Sequence, residues 1–431
     1  MTVFLLLILG FTCLLILADG LRRNRPYELP FLATATTVTF AFPQLIGLYR
    51  SPVHPVSDAA LNKTLVMAWL CIVMLRLGWQ RGCANARVGT THPSFHRDRL
   101  ILWAALLMLV GSWGNWEIRG LPEEMTSVVW SGLPVAYLFF AVALLYGYAL
   151  SLNLWLRYRA KTALAVIAVT CFVYFSVIVF GGRRQPAGEF VLIPAVSFWF
   201  IRKTILPRIA PVIAVVGMLL FLQSTGEYRS VADAAKHQGG WGQLNDIPFL
   251  GNLQATLGYG GQELTNAAVR IDAADQGKMF DFGLSLWNAM AFTYIPRQIV
   301  GQEFKQSLMV SLPDAEYEAF GYVPGTGTTY TGFATAFASF WYLGCFMFFL
   351  IAWVMGRFYR RALNGDMFAQ VVYSLMLVQT ALVITHGTSE FITPWPQMAL
   401  FLLSGLYWAR RRPTPGLVRV GLPGRPLGFL G

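Results

Sequence analysis

Residues 162–180 read TALAVIAVTCFVYFSVIVF, a run without one charged side chain. Arg157, Arg159 and Lys161 precede it, and Arg183 and Arg184 follow it. A helix rises about 1.5 Å per residue, so about 20 apolar residues cross the roughly 30 Å of a bilayer's hydrocarbon. A helix apolar on every face belongs either in a large protein core or in lipid. The composition of the chain decides between the two. Of its 431 residues, 56% are hydrophobic and 13% charged, and its mean hydropathy is +0.53. Soluble domains carry about 25% charged residues, so this chain cannot cover a surface in water and must use lipid as solvent. Its 14 Trp suit the headgroup level, where amphipathic rings collect.

Similar stretches lie at 2–19, 29–49, 64–80, 100–116, 127–151, 188–202, 208–224, 332–356, 367–386 and 394–409. With 162–180 they predict an all-α polytopic membrane protein of about 11 transmembrane helices. Pro194 makes 188–202 the weakest of them. The stretch 283–300 is also apolar, but Asn288 and Pro296 interrupt it, which predicts an interfacial or re-entrant piece. The domain plan is an N-terminal bundle over 1–224, a large loop or cap over 225–330, C-terminal helices over 331–409 and a basic tail over 410–431.

Basic residues test this alternation, because cytoplasmic loops retain Lys and Arg. With the N-terminus outside, most of the chain's 33 Lys and Arg fall on inside segments. They include Arg22, Arg23 and Arg25 after the first span, Arg157, Arg159 and Lys161 after the fifth, and Arg410, Arg411 and Arg412 at the tail. The bias recurs at every inside loop. It predicts an N-terminus outside the cytoplasm and a cytoplasmic C-terminus. The first stretch lacks a basic leader and a small-x-small cleavage site, so it reads as a retained anchor.

The net charge of +12 is therefore a sum of cytoplasmic anchors. The 225–330 loop is net acidic and would repel nucleic acid. None of the five Cys lies in it, so no disulfide holds it. It is too aromatic to be disordered (Trp241, Phe249, Tyr259, Phe280, Trp287), which predicts a folded cap of short helices. The run Gly325-Thr326-Gly327-Thr328-Thr329 lacks the Lys of a phosphate loop. No ligand spacing suggests a metal, and no cofactor is implied. Coupled transporters place ionisable groups deep in their spans. Only Arg76 reads as such, near enough to one end to snorkel.

The segment Tyr294-Ile-Pro-Arg297, with Lys305 following, resembles the signature of bacterial oligosaccharide repeat-unit polymerases, the Wzy-like O-antigen and exopolysaccharide enzymes. Tyr322-Val-Pro-Gly-Thr-Gly327, Thr331-Gly332 and Phe340-Trp-Tyr-Leu-Gly344 resemble that family's approach to the helix that ends its periplasmic loop. The many-span layout matches along the whole chain, while the motifs lie within 290–345. One departure is that Gln-Ser-Leu follows Lys305 where the family usually has a Pro. The resemblance implies a glycosyltransferase of polysaccharide, including lipopolysaccharide, biosynthesis. It would move a glycan from one polyprenyl (undecaprenyl) diphosphate carrier onto the sugar end of another lipid-linked repeat unit. Its partners would be that donor and acceptor, membrane lipids and a chain-length regulator. An O-antigen ligase would share the layout and differ in acceptor. A transporter would need a polar path across both leaflets.

The chemistry nominates residues. A departing diphosphate gathers negative charge, and guanidinium forks bind phosphate in pairs of hydrogen bonds. Arg229, Arg270 and Arg297, with Lys305, are the diphosphate candidates; the plain alternative is interfacial anchoring. Arg183 and Arg184 read as flanking charges. The attacking hydroxyl needs a base. His386 and Glu390, split by Gly387-Thr388-Ser389 at the outer end of a span, are candidates, as are Glu318 and Glu316. A hydrogen-bonded helix end would account for His386 and Glu390 equally. Asp272 and Asp275 share a helix face, which more often meets solvent than a metal.

Overall fold

The computed structural model describes residues 1–84, 94–121, 133–182, 184–204, 206–238, 241–295, 297–325 and 327–411. Pro296 of the Ile-Pro-Arg motif, Thr326, Arg183 and the tail from 412 onward lie outside the described residues.

The chain is all-helical among the described residues, apart from one isolated bridge between Phe95 and Arg410. Among the described residues, eight helices are long and apolar enough to cross a membrane. They are α1 (Thr2–Arg22), α2 (Leu29–Arg50), α3 (Asp58–Ala84), α4 (Arg97–Arg119), α5 (Leu133–Tyr158), α6 (Lys161–Gly181), and, after the long middle segment, Gly332–Leu363 and Met367–Thr385. Between α6 and that segment come α7 (Arg184–Arg202) and α8 (Ile209–Gln223). The α7 stretch is a continuous helix despite Pro194, but Arg184, Gln185 and Glu189 make its first turns polar. Helix α8 meets the next helix at a bend of 70°, and the two together would make a ninth span.

The 225–330 segment is a series of short helices: α9 (Thr225–Gln238), α10 (Phe249–Tyr259), α11 (Gln262–Gly277), α12 (Leu284–Tyr294), α13 (Arg297–Val300), α14 (Gln302–Ser307) and α15 (Ala315–Phe320). The interrupted 283–300 stretch thus yields α12, about 16 Å long by its rise, with Trp287 and Phe292 exposed. Helix α11 is the opposite case. Leu264 through Val269 and Ile271 through Ala274 are all buried, against α3 and the start of the helix that opens at Gly332. That helix, α16 (Gly332–Leu363), is broken at Trp341, whose φ is +54°, and runs past the expected end at 356. Helix α17 (Met367–Thr385) follows, then α18 (Ser389–Ile392). The last helix, α19, is Pro394–Met398, a π turn and Ser404–Ala409.

Two sequence features explain the packing. Gly78 and Gly82 stand four apart on α3, and a Cβ on either would overlap the backbone of Phe349 or Trp353. Small residues at this spacing let two helix backbones touch in lipid, where no hydrophobic force drives association. Pro43 sits inside α2 and cannot donate to the carbonyl of Thr39. The helix widens there into a π turn over Thr37–Ala41, and Gln223 Nε2 donates to the freed oxygen at 2.9 Å. A neighbouring side chain satisfies the carbonyl that water cannot reach.

The basic ends expected to share one side gather at one end of the bundle. Arg157 donates to Gly365 O, Arg202 to Leu156 O, Lys203 to Leu363 O, Arg208 to Asn24 and Arg22, and Arg99 to Trp408 O. Arg76 pairs with Asp19 at 2.6 Å, so this cation in a span has its counter-ion. The segment α9–α15 lies over the other end. Gln44 Oε1 accepts from Leu264 N at the start of α11, and Thr256 Oγ1 donates to Gln223 Oε1.

Candidate functional site

The site is built where α17 ends. Thr385 is its last residue, and the His386 N–H still reaches Leu382 O at 2.8 Å. The Thr385 hydroxyl donates to Leu382 O at 3.2 Å. Its oxygen is then the acceptor for His386 Nδ1 at 2.7 Å. With the hydroxyl donating to Leu382 O, the tautomer that fits carries its proton on Nδ1, and its Nε2 lone pair can take another. Gly387 and Thr388 turn the chain, and Thr388 N bonds Thr335 Oγ1 at 3.1 Å, locking the turn to α16.

Two guanidinium groups lie within electrostatic reach of this imidazole. Burial of the inner side of the ring, and then the charges of Arg184 and Arg229, hold its pKa below the usual range. His386 remains exposed on its outer side. Arg229 is exposed on α9, and its Nε donates to Gly182 O at 3.2 Å. Gly182 has φ +55° and no room for a side chain beside Arg229 and Tyr228. Arg184, the first residue of α7, lies within electrostatic reach of Arg229 and Glu263, and its Nε has no hydrogen-bond partner. Sequence reasoning left Arg184 as a flanking charge; the fold brings it within electrostatic reach of His386.

Helix α11 supplies the adjoining wall. Glu263, Asn266 and Arg270 recur at three and four residues, which is one helix face. Tyr322 Oη donates to Asn266 Oδ1 at 2.6 Å, and Asn266 Nδ2 donates to Thr328 at 2.8 Å. Thr329 Oγ1 donates to Thr385 O at 2.8 Å, joining this wall to the histidine turn. Arg270 is held by Glu316 at 3.0 Å and lies 4.5 Å over the Tyr330 ring. Glu316 is buried at 3% exposure, while Glu318 is exposed. Of the two carboxylates the sequence offered around Tyr317, the buried one is therefore engaged by Arg270.

Arg297 and Lys305 form a second cationic group. Lys305 Nζ donates to Phe292 O at 2.8 Å and lies 4.5 Å over that ring. Burial, then the Arg297 charge, lowers its pKa. Arg297 is exposed. The Tyr294 hydroxyl donates to Thr393 O, which seats α12 against α18 and hence beside Glu390. Burial pushes the Glu390 carboxyl up from its usual range. The sequence candidates thus fall into two groups. Arg229 lies within electrostatic reach of His386, and Arg297 within that of Lys305, which is bonded to α12.

Asp272 and Asp275 meet lysines rather than solvent. Lys63 on α3 bonds Asp272 at 2.9 Å and Asp275 at 2.6 Å, and Lys278 adds a bond to Asp275. No group of metal-ligating side chains occurs among the described residues. Burial pushes the Asp275 carboxyl up, but the hydrogen bonds and charges of Lys63 and Lys278 outweigh it, and the net shift is down. A depressed carboxylate stabilises the fold above its unfolded pKa, about 3.9, and loses that contribution as pH falls through the lower folded value. Lys63→Ala leaves Asp272 buried without its cation, at a cost of about 3–5 kcal/mol. Limited proteolysis is the check: the variant should be cut faster between 225 and 330 at neutral pH. Wild-type protein should gain the same sensitivity only in strong acid.

Sequence reasoning also missed Glu189. It lies on α7 at 4% exposure and accepts from Gln185 at 2.9 Å, Gln379 at 2.9 Å and Tyr174 at 3.4 Å. Gln379 is two turns below His386 on α17, about 10 Å of rise. A lone carboxyl in an apolar stretch was the available signal, and 188–202 was too weak a span for it to register. Comparison of the chain with family models, curated proteins and solved structures finds no match.

Proposed function

We propose that the protein is a glycosyltransferase that polymerises polyprenyl-diphosphate-linked oligosaccharide repeat units at the periplasmic face of a bacterial inner membrane. The observation that carries this reading is the meeting of Arg184 and Arg229 with a proton-accepting His386 at one end of an apolar bundle. In the same reading the chain has eleven spans, a periplasmic N-terminus, a cytoplasmic tail, and α9–α15 as a periplasmic cap.

The reaction needs two lipid carriers, and two cationic groups are available. Arg184 and Arg229 hold the donor diphosphate; Arg297 and Lys305 hold the acceptor's. The acceptor sugar hydroxyl attacks the anomeric carbon of the donor. The new C–O bond forms as the bond to the diphosphate breaks, and the carrier diphosphate leaves with the electron pair. His386 Nε2 receives the hydroxyl proton, with Glu390 the neighbouring carboxyl able to relay it. Guanidinium groups fixed before the reaction stabilise the charge that the leaving group gathers. The activated donor arrives through the lipid, which supplies the energy without a nucleotide site.

The test is reconstitution of the full chain with a lipid-linked repeat unit, products being resolved on a gel. A ladder of lengths supports the reading; single repeats alone from folded protein would sink it. Arg297→Ala should slow ladder formation about tenfold, the worth of one charge-assisted bond, and Arg297→Lys should recover part of it. Glu189 favours a second reading, a proton-coupled transporter, because ionisable groups deep in spans mark ion paths. Glu189→Gln separates the two: transport would stop, whereas the ladder would persist.

A further inference from the structure

A cavity of about 700 Å³ opens at the Met367 end of α17, the end opposite His386 and about 28 Å from it by helix rise. Arg97, Arg99, Arg157 and Arg411 line it, with Asp98 as the carboxylate among its lining residues. Its rim is a strap in which 94–96 runs antiparallel to 409–411: His96 N bonds Ala409 O at 2.8 Å, and Arg411 N bonds Ser94 O at 2.9 Å. None of this enters the chemistry proposed at the other end.

Among the described residues the charges do not balance. Asp98 is taken up by Arg97, Nε to Oδ1 at 3.1 Å. Arg157 is half-buried in the wall and, among the described residues, touches only neutral oxygens, those of Gly365 at 3.0 Å, Gln370 at 2.5 Å and Asn153 at 3.3 Å. Asp366 is near enough to feel it but is bound by Arg361 at 2.5 Å and 2.9 Å. A part-buried guanidinium held rigidly by neutral acceptors lacks the counter-charge that would offset its desolvation. Arg99 is fixed by Trp408 O at 3.1 Å, its guanidinium 5.8 Å from the Trp408 ring. Arg97 and Arg411 are exposed at the mouth.

The geometry points to a binding site for a phosphate group in this cavity. Guanidinium forks recognise phosphate oxygens in pairs, and the volume lies in the range of small-ligand sites. Tyr158, Tyr407 and Trp408 are exposed around the same end, at 44%, 81% and 43%. Such rings settle at headgroup depth, where the phosphate of an anionic lipid lies. A free pyrophosphate offers the same chemistry from water.

The test uses the purified full-length chain. In one arm it is held in nanodiscs of phosphatidylcholine with a minority of phosphatidylglycerol, and the lipid retained after transfer to the gas phase is read by native mass spectrometry. In the other, inorganic pyrophosphate is titrated against the chain in uncharged detergent, and the unfolding temperature is read. Phosphatidylglycerol should be retained selectively, and Arg97→Gln combined with Arg411→Gln should weaken it at least about tenfold. A rise in unfolding temperature with pyrophosphate, lost in the same variant, would assign the site to a free phosphate instead. Arg157→Gln should weaken either probe further; should it not fold, the mouth pair carries the test alone. The inference is overturned if neither probe binds, or if both bind a folded Arg97→Gln/Arg411→Gln variant as they bind wild type.

Discussion

Arg229→Ala is expected to collapse a ladder of long glycans to single-repeat products, with turnover down about 10²–10³-fold. That is the loss seen when one preorganised donor is removed from a developing anion. The reason lies in how the residue is held. Its Nε is spent on Gly182 O, which ties the exposed guanidinium to the turn after α6. Gly182 adopts a left-handed turn that leaves no space for another side chain there. The guanidinium is thus positioned before any substrate arrives. Arg229→Lys keeps the charge but loses the paired geometry, and should fall between wild type and Ala. The readout is chain length on a gel from membranes with matched protein levels. Full-length ladders from Arg229→Ala would remove this residue from the reaction.

His386→Ala should cost turnover about 10²–10⁴-fold, the usual contribution of a positioned base. Its pH profile is the sharper test. Burial, with Arg184 and Arg229, depresses the imidazole pKa. The neutral, proton-accepting form therefore persists to lower pH than in a free histidine, whose pKa is about 6.5. Activity of the wild type should fall on a limb below that value. Arg229→Gln removes one of the cations, so its residual activity should fall on a limb shifted upward. A limb that stays in place, or one that lies above the free value, would show that His386 is not the group titrating. Thr385→Val offers a milder check, because it removes the oxygen that holds the proton on Nδ1 and should lower turnover without loss of protein.

The sequence by itself determined that the chain is a bundle of apolar helices. Each span answers to a local demand, about 20 residues without water, and Thr2–Arg22 or Lys161–Gly181 meets it alone. The grouping of basic ends was legible for the same reason, since charge at a span's end is a property of that span. Where local composition was mixed, legibility failed. Helix α7 is continuous but opens with Arg184, Gln185 and Glu189, and those residues hid both a neighbour of His386 and a buried carboxyl. Only the tertiary structure decided which polar residues meet. Residues 184, 229 and 386 are far apart in the chain and share no period. Glu316 and Glu318 differ by two positions, yet one is buried on Arg270 and the other is exposed. Asp272 and Asp275 read as a solvated face until Lys63, on a helix two hundred residues earlier, proved to be their partner. Hydrophobic burial follows a helix's own pattern, whereas an ion pair or a hydrogen bond depends on which distant side chain the packing brings opposite.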